Sequence, residues 1–105
     1  MTTTQRVADY LALATLRRNY TADVMQHMQM SSTTLRRRLR EEGTTLEALV
    51  KAEKKRRVEA AVAERPNINA KRLASECGYA DVEHFYRAFR SWFGQHWSQY
   101  LRASR

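Results

Sequence analysis

One cysteine, one proline and three glycines are all that this 105-residue chain has of the residues that staple, kink or loosen a backbone. A single thiol, Cys77, allows no internal disulfide and no cysteine-based zinc site, which fits a reducing compartment. Sheet-forming runs of Val, Ile, Thr and Tyr are missing, so a strand-rich fold is excluded. No apolar stretch approaches the roughly 20 residues needed to span a bilayer. The opening Met1-Thr2-Thr3-Thr4 lacks the charged and apolar regions of a secretion signal, and the cytoplasm, close to the nucleoid, is the expected location. His27, His84 and His96 do not have metal-ligand spacing, and there is no nucleophile elbow, phosphate loop or paired-carboxylate motif. An enzyme is therefore not expected, nor any metal or cofactor.

What is present is helix-forming and basic. Ala, Leu, Arg, Glu and Lys recur at helical spacing, and hydrophobic residues make up 43%, enough for a real core. Nineteen basic residues against eleven acidic leave a formal charge of +8 and a pI near 10.3. Such a charge implies a polyanionic partner or a strongly solvated surface, without choosing among DNA, RNA and acidic lipid.

The spacing predicts a first helix from about Thr4 to Arg18, with Val7, Leu11 and Ala14 inward and Tyr10 and Leu13 widening the stripe. Thr21 is the expected N-cap of a short second helix ending near Met28, and Ser31 that of a third, Ser32 to about Glu42, stopped by Gly43. A long helix comes next, from Thr45 to about Glu64, with Leu46, Leu49, Val50, Val58, Ala61 and Val62 inward. Pro66 breaks the chain, Asn69 caps a short helix to Glu76, Gly78 makes a turn, and Asp81 caps a helix to about Trp92. A last helix holds Trp97, Tyr100 and Leu101. With Trp92 and Phe93, Trp97 and Tyr100 read as a C-terminal aromatic core rather than a platform for stacking bases.

The chain repeats itself at an offset of about 50 residues. Ser31, Leu35, Arg37, Leu39 and Arg40 correspond to Asp81, Phe85, Arg87, Phe89 and Arg90. Upstream, Val24-Met25 and Met28 correspond to Leu73-Ala74 and Cys77, one residue out of step because the second turn is longer. Short helix, tight turn and capped second helix with apolar residues four apart is the pattern of a helix-turn-helix. The expected architecture is all-α: seven helices forming two helix-turn-helix subdomains joined by a long linker helix. Residues 1–44 carry the first helix and first unit, 45–65 the linker helix, and 66–105 the second unit.

With Leu35 and Leu39 buried, the third helix presents Thr33, Arg37 and Arg40 on its opposite face, flanked by Arg36 and Arg38. Four arginines in five positions repel one another on an isolated helix but suit phosphates and guanine edges. The same projection of the second unit buries Phe85 and Phe89 and presents Glu83, Arg87 and Arg90, flanked by His84 and Tyr86. Glu83 is repelled by phosphate, though a carboxylate accepts from cytosine N4. Either it reads a base or this half binds weakly, and the balance leans to the weak half. The run Glu53-Lys54-Lys55-Arg56-Arg57 either tracks phosphates, through Lys54, Lys55 and Arg56 together with Arg38, or keeps a solvent face soluble while Lys54 pairs with an acidic neighbour.

Leu73-Ala74-Ser75-Glu76-Cys77-Gly78-Tyr79, with Phe85, Arg87, Ala88, Phe89, Arg90, Gly94 and Tyr100, resembles the signature of the AraC/XylS family of bacterial transcription regulators. Ser31, Leu35, Arg37, Leu39 and Gly43 agree with that family's first unit, and the similarity runs from about Thr4 to Leu101. The resemblance implies two recognition helices entering successive major-groove segments of double-stranded DNA. Its base-contacting positions fall on Thr33, Arg36 and Arg37, and on Val82, Glu83, His84 and Arg87; the helical projection adds Arg40 and Arg90. The chain departs from the family at Gln29 for a frequent glycine, at Glu83 for a small or neutral residue, and at Trp97 for a frequent proline. Lys54 and Val58 stand for a common arginine and alanine. Many relatives carry an additional N-terminal sensing or dimerisation domain; this chain has no room for an effector pocket and is either a stand-alone regulator or the C-terminal piece of a longer protein. RNA polymerase or another regulator is a further candidate partner. In the competing reading, the second unit binds such a protein instead of base edges. RNA is a poorer fit, because its A-form major groove excludes a helix.

Overall fold

Each pair of short helices is closed by the same turn. The computed structural model describes residues 1–16 and 19–104. Among them are seven α-helices and no strand: α1 Thr3–Leu13, α2 Tyr20–Met28, α3 Ser32–Glu41, α4 Leu46–Glu64, α5 Ala70–Glu76, α6 Val82–Phe93 and α7 Trp97–Ser104. After α2, Gln29 takes left-handed backbone at φ 55°; after α5, Gly78 does so at φ 88°. Met30 N–H donates back to the Met25 carbonyl at 3.2 Å, and Tyr79 N–H to that of Ala74 at 2.9 Å. The adjacent bonds match as well, Gln29 to Gln26 at 3.3 Å and Gly78 to Ser75 at 3.0 Å. This is the paired closure that satisfies the last carbonyls of a helix. The sequence repeat is thus a backbone repeat.

The chain packs as two compact units, Met1–Glu53 and Lys54–Arg105, which divide inside α4. The linker helix gives its first turns to one unit and the remainder to the other. In the first unit Val7, Leu11, Leu16, Val24, Met28, Leu35, Leu39, Leu46 and Val50 form one core. Ser31 caps α3 by accepting from Thr34 N–H at 3.2 Å, and Thr45 caps α4 by accepting from Ala48 N–H at 3.1 Å.

Two expectations for this unit need correction. Helix α1 ends at Leu13, not near Arg18; Arg17 and Arg18 lie outside the described residues. Ala14 leaves the helix in extended conformation, which sends Leu16 into the core and leaves Leu13 93% exposed. Thr21 is not an N-cap either. Helix α2 begins at Tyr20, and Asn19 before it makes no side-chain cap bond.

Helix α1 is tied down by a residue distant in sequence. Thr2 Oγ accepts from Gln5 N–H at 3.0 Å, while the Glu42 carboxylate accepts from Thr3 N–H at 3.1 Å and Thr4 N–H at 2.7 Å. Glu42 comes directly after the last turn of α3, so the end of α3 caps the start of α1 and satisfies amides that have no partner within their own helix.

The second unit buries Val58, Ala61, Val62, Ile68, Leu73, Ala74, Cys77, Phe85, Phe89 and Trp97. Its centre is aromatic: Phe89 stacks on Phe93 at 4.5 Å and meets the edges of Trp97 and Tyr100 at 5.4 and 5.2 Å. Asn69 caps α5 through Lys71 N–H at 2.7 Å. At Trp97, where the resemblance leads one to expect a proline, α7 starts with a reciprocal cap. Ser98 N–H donates to His96 Nδ1, and His96 N–H donates to the Gln99 side chain, both at 3.2 Å. The missing proline is compensated locally, and the indole of Trp97 fills the core instead.

A residue with a side chain is strained at left-handed φ, so Gln29→Gly is expected to stabilise the first unit by about 0.5–1 kcal/mol. Thermal denaturation checks this as a rise of a few degrees in midpoint; a fall would show that the glutamine side chain contributes more than the strain costs. Glu42 is held below the usual carboxylate range by its bonds from Thr4 and Thr3. Its folded pKa lies below the unfolded value of about 4.3, so its contribution is complete above that value and is lost as pH falls through the folded one. The Thr3 and Thr4 amide resonances should therefore titrate together in acid, and in Glu42→Gln they should not. Amides that ignore this acid step would show that the cap is not made.

Candidate nucleic-acid interface

Helices α3 and α6 begin with the same capping geometry and carry different faces. In α3, Leu35 and Leu39 are buried and the 3.6-residue period turns the other side to solvent. Thr33, Arg37, Arg38 and Arg40 are exposed there, while Arg36 is half-buried on the flank towards α4. The arginines are not equivalent. Arg36 Nη1 donates to both carboxylate oxygens of Glu47, at 3.0 and 3.1 Å. That pair raises the Arg36 pKa and lowers that of Glu47. Arg37 Nε lies 3.9 Å from Glu41, beyond hydrogen-bond range, and its side chain is 60% exposed.

In α6, Phe85 and Phe89 are buried, and Glu83, His84, Arg87 and Arg90 are exposed. Val82 is half-buried at the first turn. Asp81 accepts from His84 N–H at 2.9 Å with one oxygen and meets His84 Nδ1 at 2.7 Å with the other. Those contacts lower the Asp81 pKa, the backbone bond most. The imidazole is thereby held against the helix cap. Tyr86 flanks this face and is half-buried, its ring 6.2 Å from Phe85 and 5.6 Å from His96.

The basic run on α4 also differs from expectation. Glu53 is buried at 7% exposure, so the run is not one continuous solvent face. Lys54 does not pair with an acid: its Nζ donates to the Tyr79 hydroxyl at 3.2 Å and sits 4.5 Å from that ring's centre and 6.0 Å from Trp92. Burial lowers its pKa. The aliphatic stem and ammonium lie against the aromatic face of the second unit, which explains why a cation stands there. Lys55 Nζ lies 5.3 Å from the Phe93 ring and is half-buried; Arg56 is exposed.

Sequence reasoning missed two acidic residues that organise arginines. Glu47 stands eleven positions from Arg36, outside any spacing that a single helix reveals. Glu76 gathers Arg65 at 3.2 Å and Arg72 at 3.9 Å, and its carbonyl accepts from Arg57 at 3.4 Å. Only the Arg72–Glu76 spacing of four was visible as a local signal. Among the described residues, no three His, Cys, Asp or Glu side chains come together to hold a metal ion, and no helix is long and apolar enough to cross a membrane.

A helix-turn-helix domain model of AraC type matches residues 24–103. Uncharacterised HTH-type transcriptional regulators of Mycobacterium tuberculosis and Mycobacterium bovis are each 35% identical over 80 residues. That match takes in 76% of this chain and 23% of theirs, so the chain spans about a quarter of the length of the curated relatives it matches. A DNA-binding transcriptional dual regulator from Escherichia coli K-12 shares the fold, with a TM-score of 0.83 over 98% of both chains at 24% identity. The transcriptional regulator CdpR from Pseudomonas aeruginosa superposes at a TM-score of 0.84 and 28% identity, over 95% of this chain and 31% of that one. With two helix-turn-helix units, a shared turn geometry and a family match over most of its length, the chain belongs to the AraC-type helix-turn-helix family of transcriptional regulators.

Proposed function

We propose that this chain is a sequence-specific double-stranded DNA-binding regulator of transcription that places α3 and α6 in successive major-groove segments of one duplex. The observation that carries the reading is the outward face of α3: Thr33, Arg37, Arg38 and Arg40 exposed on a helix whose opposite side is locked into the core. Arginine is suited to this role because its planar fork meets guanine O6 and N7, or two phosphate oxygens, with paired hydrogen bonds. A net charge of +8 supplies the long-range attraction and a steep salt dependence.

The first unit is the stronger half in this reading. On α6, Arg87 and Arg90 share the exposed surface with Glu83, and His84 is engaged by Asp81. Glu83 fits only where it meets a donor such as cytosine N4. The same mixed face is what favours the second reading, in which α6 meets RNA polymerase or another regulator.

Selection of bound fragments from a random duplex library, with footprinting of the enriched sites, tests both. The expected product is an asymmetric site of about two helical turns with both segments protected. Protection of the first segment alone would favour the protein-partner reading, and absence of any enriched sequence would end the proposal. Arg37→Ala should weaken binding by about 1–3 kcal/mol and relax preference at one base position. Arg87→Ala should cost less; the opposite order would reverse the ranking of the two units.

A further inference from the structure

Glu47 is an acid placed beside the most basic helix of the protein, where a carboxylate would be expected to repel nucleic acid. Its geometry gives it a different role. Both of its oxygens take Arg36 Nη1, at 3.0 and 3.1 Å, which leaves the Nε and Nη2 hydrogens of the guanidinium outside the pair. Helical periodicity puts Arg36 on the flank of α3, and the pair holds it there, its side chain 41% exposed against 60% for Arg37. There it lines an open crevice of about 110 Å³ with Arg40, Thr45 and Leu46. Arg40 lies one turn further along the same helix. The Thr45 oxygen accepts from Ala48 N–H, and its own hydroxyl hydrogen is then the group it can offer a ligand. Two guanidinium groups and a hydroxyl at the rim of a small concave site suit a tetrahedral anion. A base edge suits an arginine on the outward side of the helix, where Arg37 is 60% exposed.

We propose that Glu47 is a positioning residue: it holds Arg36 beside Arg40 and Thr45 as a clamp for one phosphate of the DNA backbone, and leaves base reading in the first unit to Thr33 and Arg37. This rests on the DNA-binding reading above and goes beyond it, since the family resemblance puts Arg36 among the base-contacting positions. A preformed pair lowers the rotamer freedom that a long arginine loses on binding.

The test compares the wild type with Arg36→Ala, Glu47→Ala, Glu47→Gln and the double variant Arg36→Ala/Glu47→Ala. Each is titrated over a range of salt against a library-selected duplex, its single-base variants and an unrelated duplex of equal length. A phosphate clamp predicts that Arg36→Ala weakens binding to all duplexes by a similar factor and lowers the salt slope by about 1. A loss confined to one base position would overturn the phosphate assignment. Removing an acid near DNA should tighten binding if charge alone matters. Positioning predicts instead that Glu47→Ala weakens binding to the selected duplex by about three- to tenfold, the scale of one ordinary intramolecular hydrogen bond. It also predicts that Glu47→Gln, which keeps an acceptor oxygen, recovers most of that loss. In the Arg36→Ala background, Glu47→Ala should have no further weakening effect. Equal weakening in both backgrounds would mean that Glu47 acts on the fold and not through Arg36. Tighter binding by Glu47→Ala to both duplexes would overturn the proposal outright. If the wild type fails to prefer its selected duplex, the DNA-reading proposal falls first and takes the clamp with it. If the wild type keeps that preference and loses it in Arg37→Ala, any failure belongs to the Glu47 assignment alone.

Discussion

A left-handed residue between two short helices sets the direction of the second helix, and the recognition surfaces depend on that reversal. At Gln29 and at Gly78 the backbone turns through the same pair of bonds to the preceding helix. The next helix then sets down two large apolar residues one turn apart, Leu35 and Leu39 in one unit, Phe85 and Phe89 in the other. Once those four are in the core, helical periodicity alone sends Arg37 and Arg40, or Arg87 and Arg90, to solvent. The turn uses glycine where the family does in one unit and a glutamine in the other. A φ of 55° sits close to the ideal left-handed value, so Gln29 carries the penalty of its Cβ without further distortion.

An arginine-rich helix of this kind needs its charges managed when no nucleic acid is present. Glu47 does this for Arg36 with two short bonds, and Glu41 does so loosely for Arg37 at 3.9 Å. The second unit uses Glu76 in a comparable way for Arg65 and Arg72. Exposed pairs of this type contribute little to stability, commonly about 0–1 kcal/mol. Their consequence is orientation. A guanidinium held by a carboxylate presents its remaining hydrogens in one direction, whereas Arg37 is held only loosely.

The elements legible in the sequence were those written in local chemistry. Ser31, Asn69 and Asp81 announce helix starts, Gly43 and Gly78 announce helix ends, and Pro66 separates α4 from α5; the structure bears out each of these. The apolar pairs four apart were equally plain. What could not be read are contacts made across long sequence intervals. Glu42 capping α1 spans 39 positions in its bond to Thr3, and Lys54 reaching Tyr79 spans 25. Nothing near either residue marks the partner. The end of α1 is hidden for a related reason: Leu13 and Ala14 continue the helical pattern of Val7 and Leu11, and only the extended Ala14 shows that the chain leaves the helix before Leu16 turns inward. Lys54 also illustrates how charge misleads, because its long apolar stem lets a cation lie over Tyr79 while reading as a surface residue.

Two units with the same turn and different fillings are not required to contribute equally. The aliphatic core of the first unit ends at Val50 and needs the distant carboxylate of Glu42 to anchor its first helix. The second is built on stacked and edge-on rings, with α7 docked through Trp97 and Tyr100. Packing therefore does not account for the difference between their outward faces, since either core supports the same helix pair. The difference lies in the side chains that packing leaves unconstrained. On α3 those are arginines, whose attraction to a phosphate backbone is independent of base order. On α6 the acid Glu83 makes attraction conditional on a donor standing opposite it. One fold thus carries two outward faces of different charge, and the difference between them requires no change in backbone.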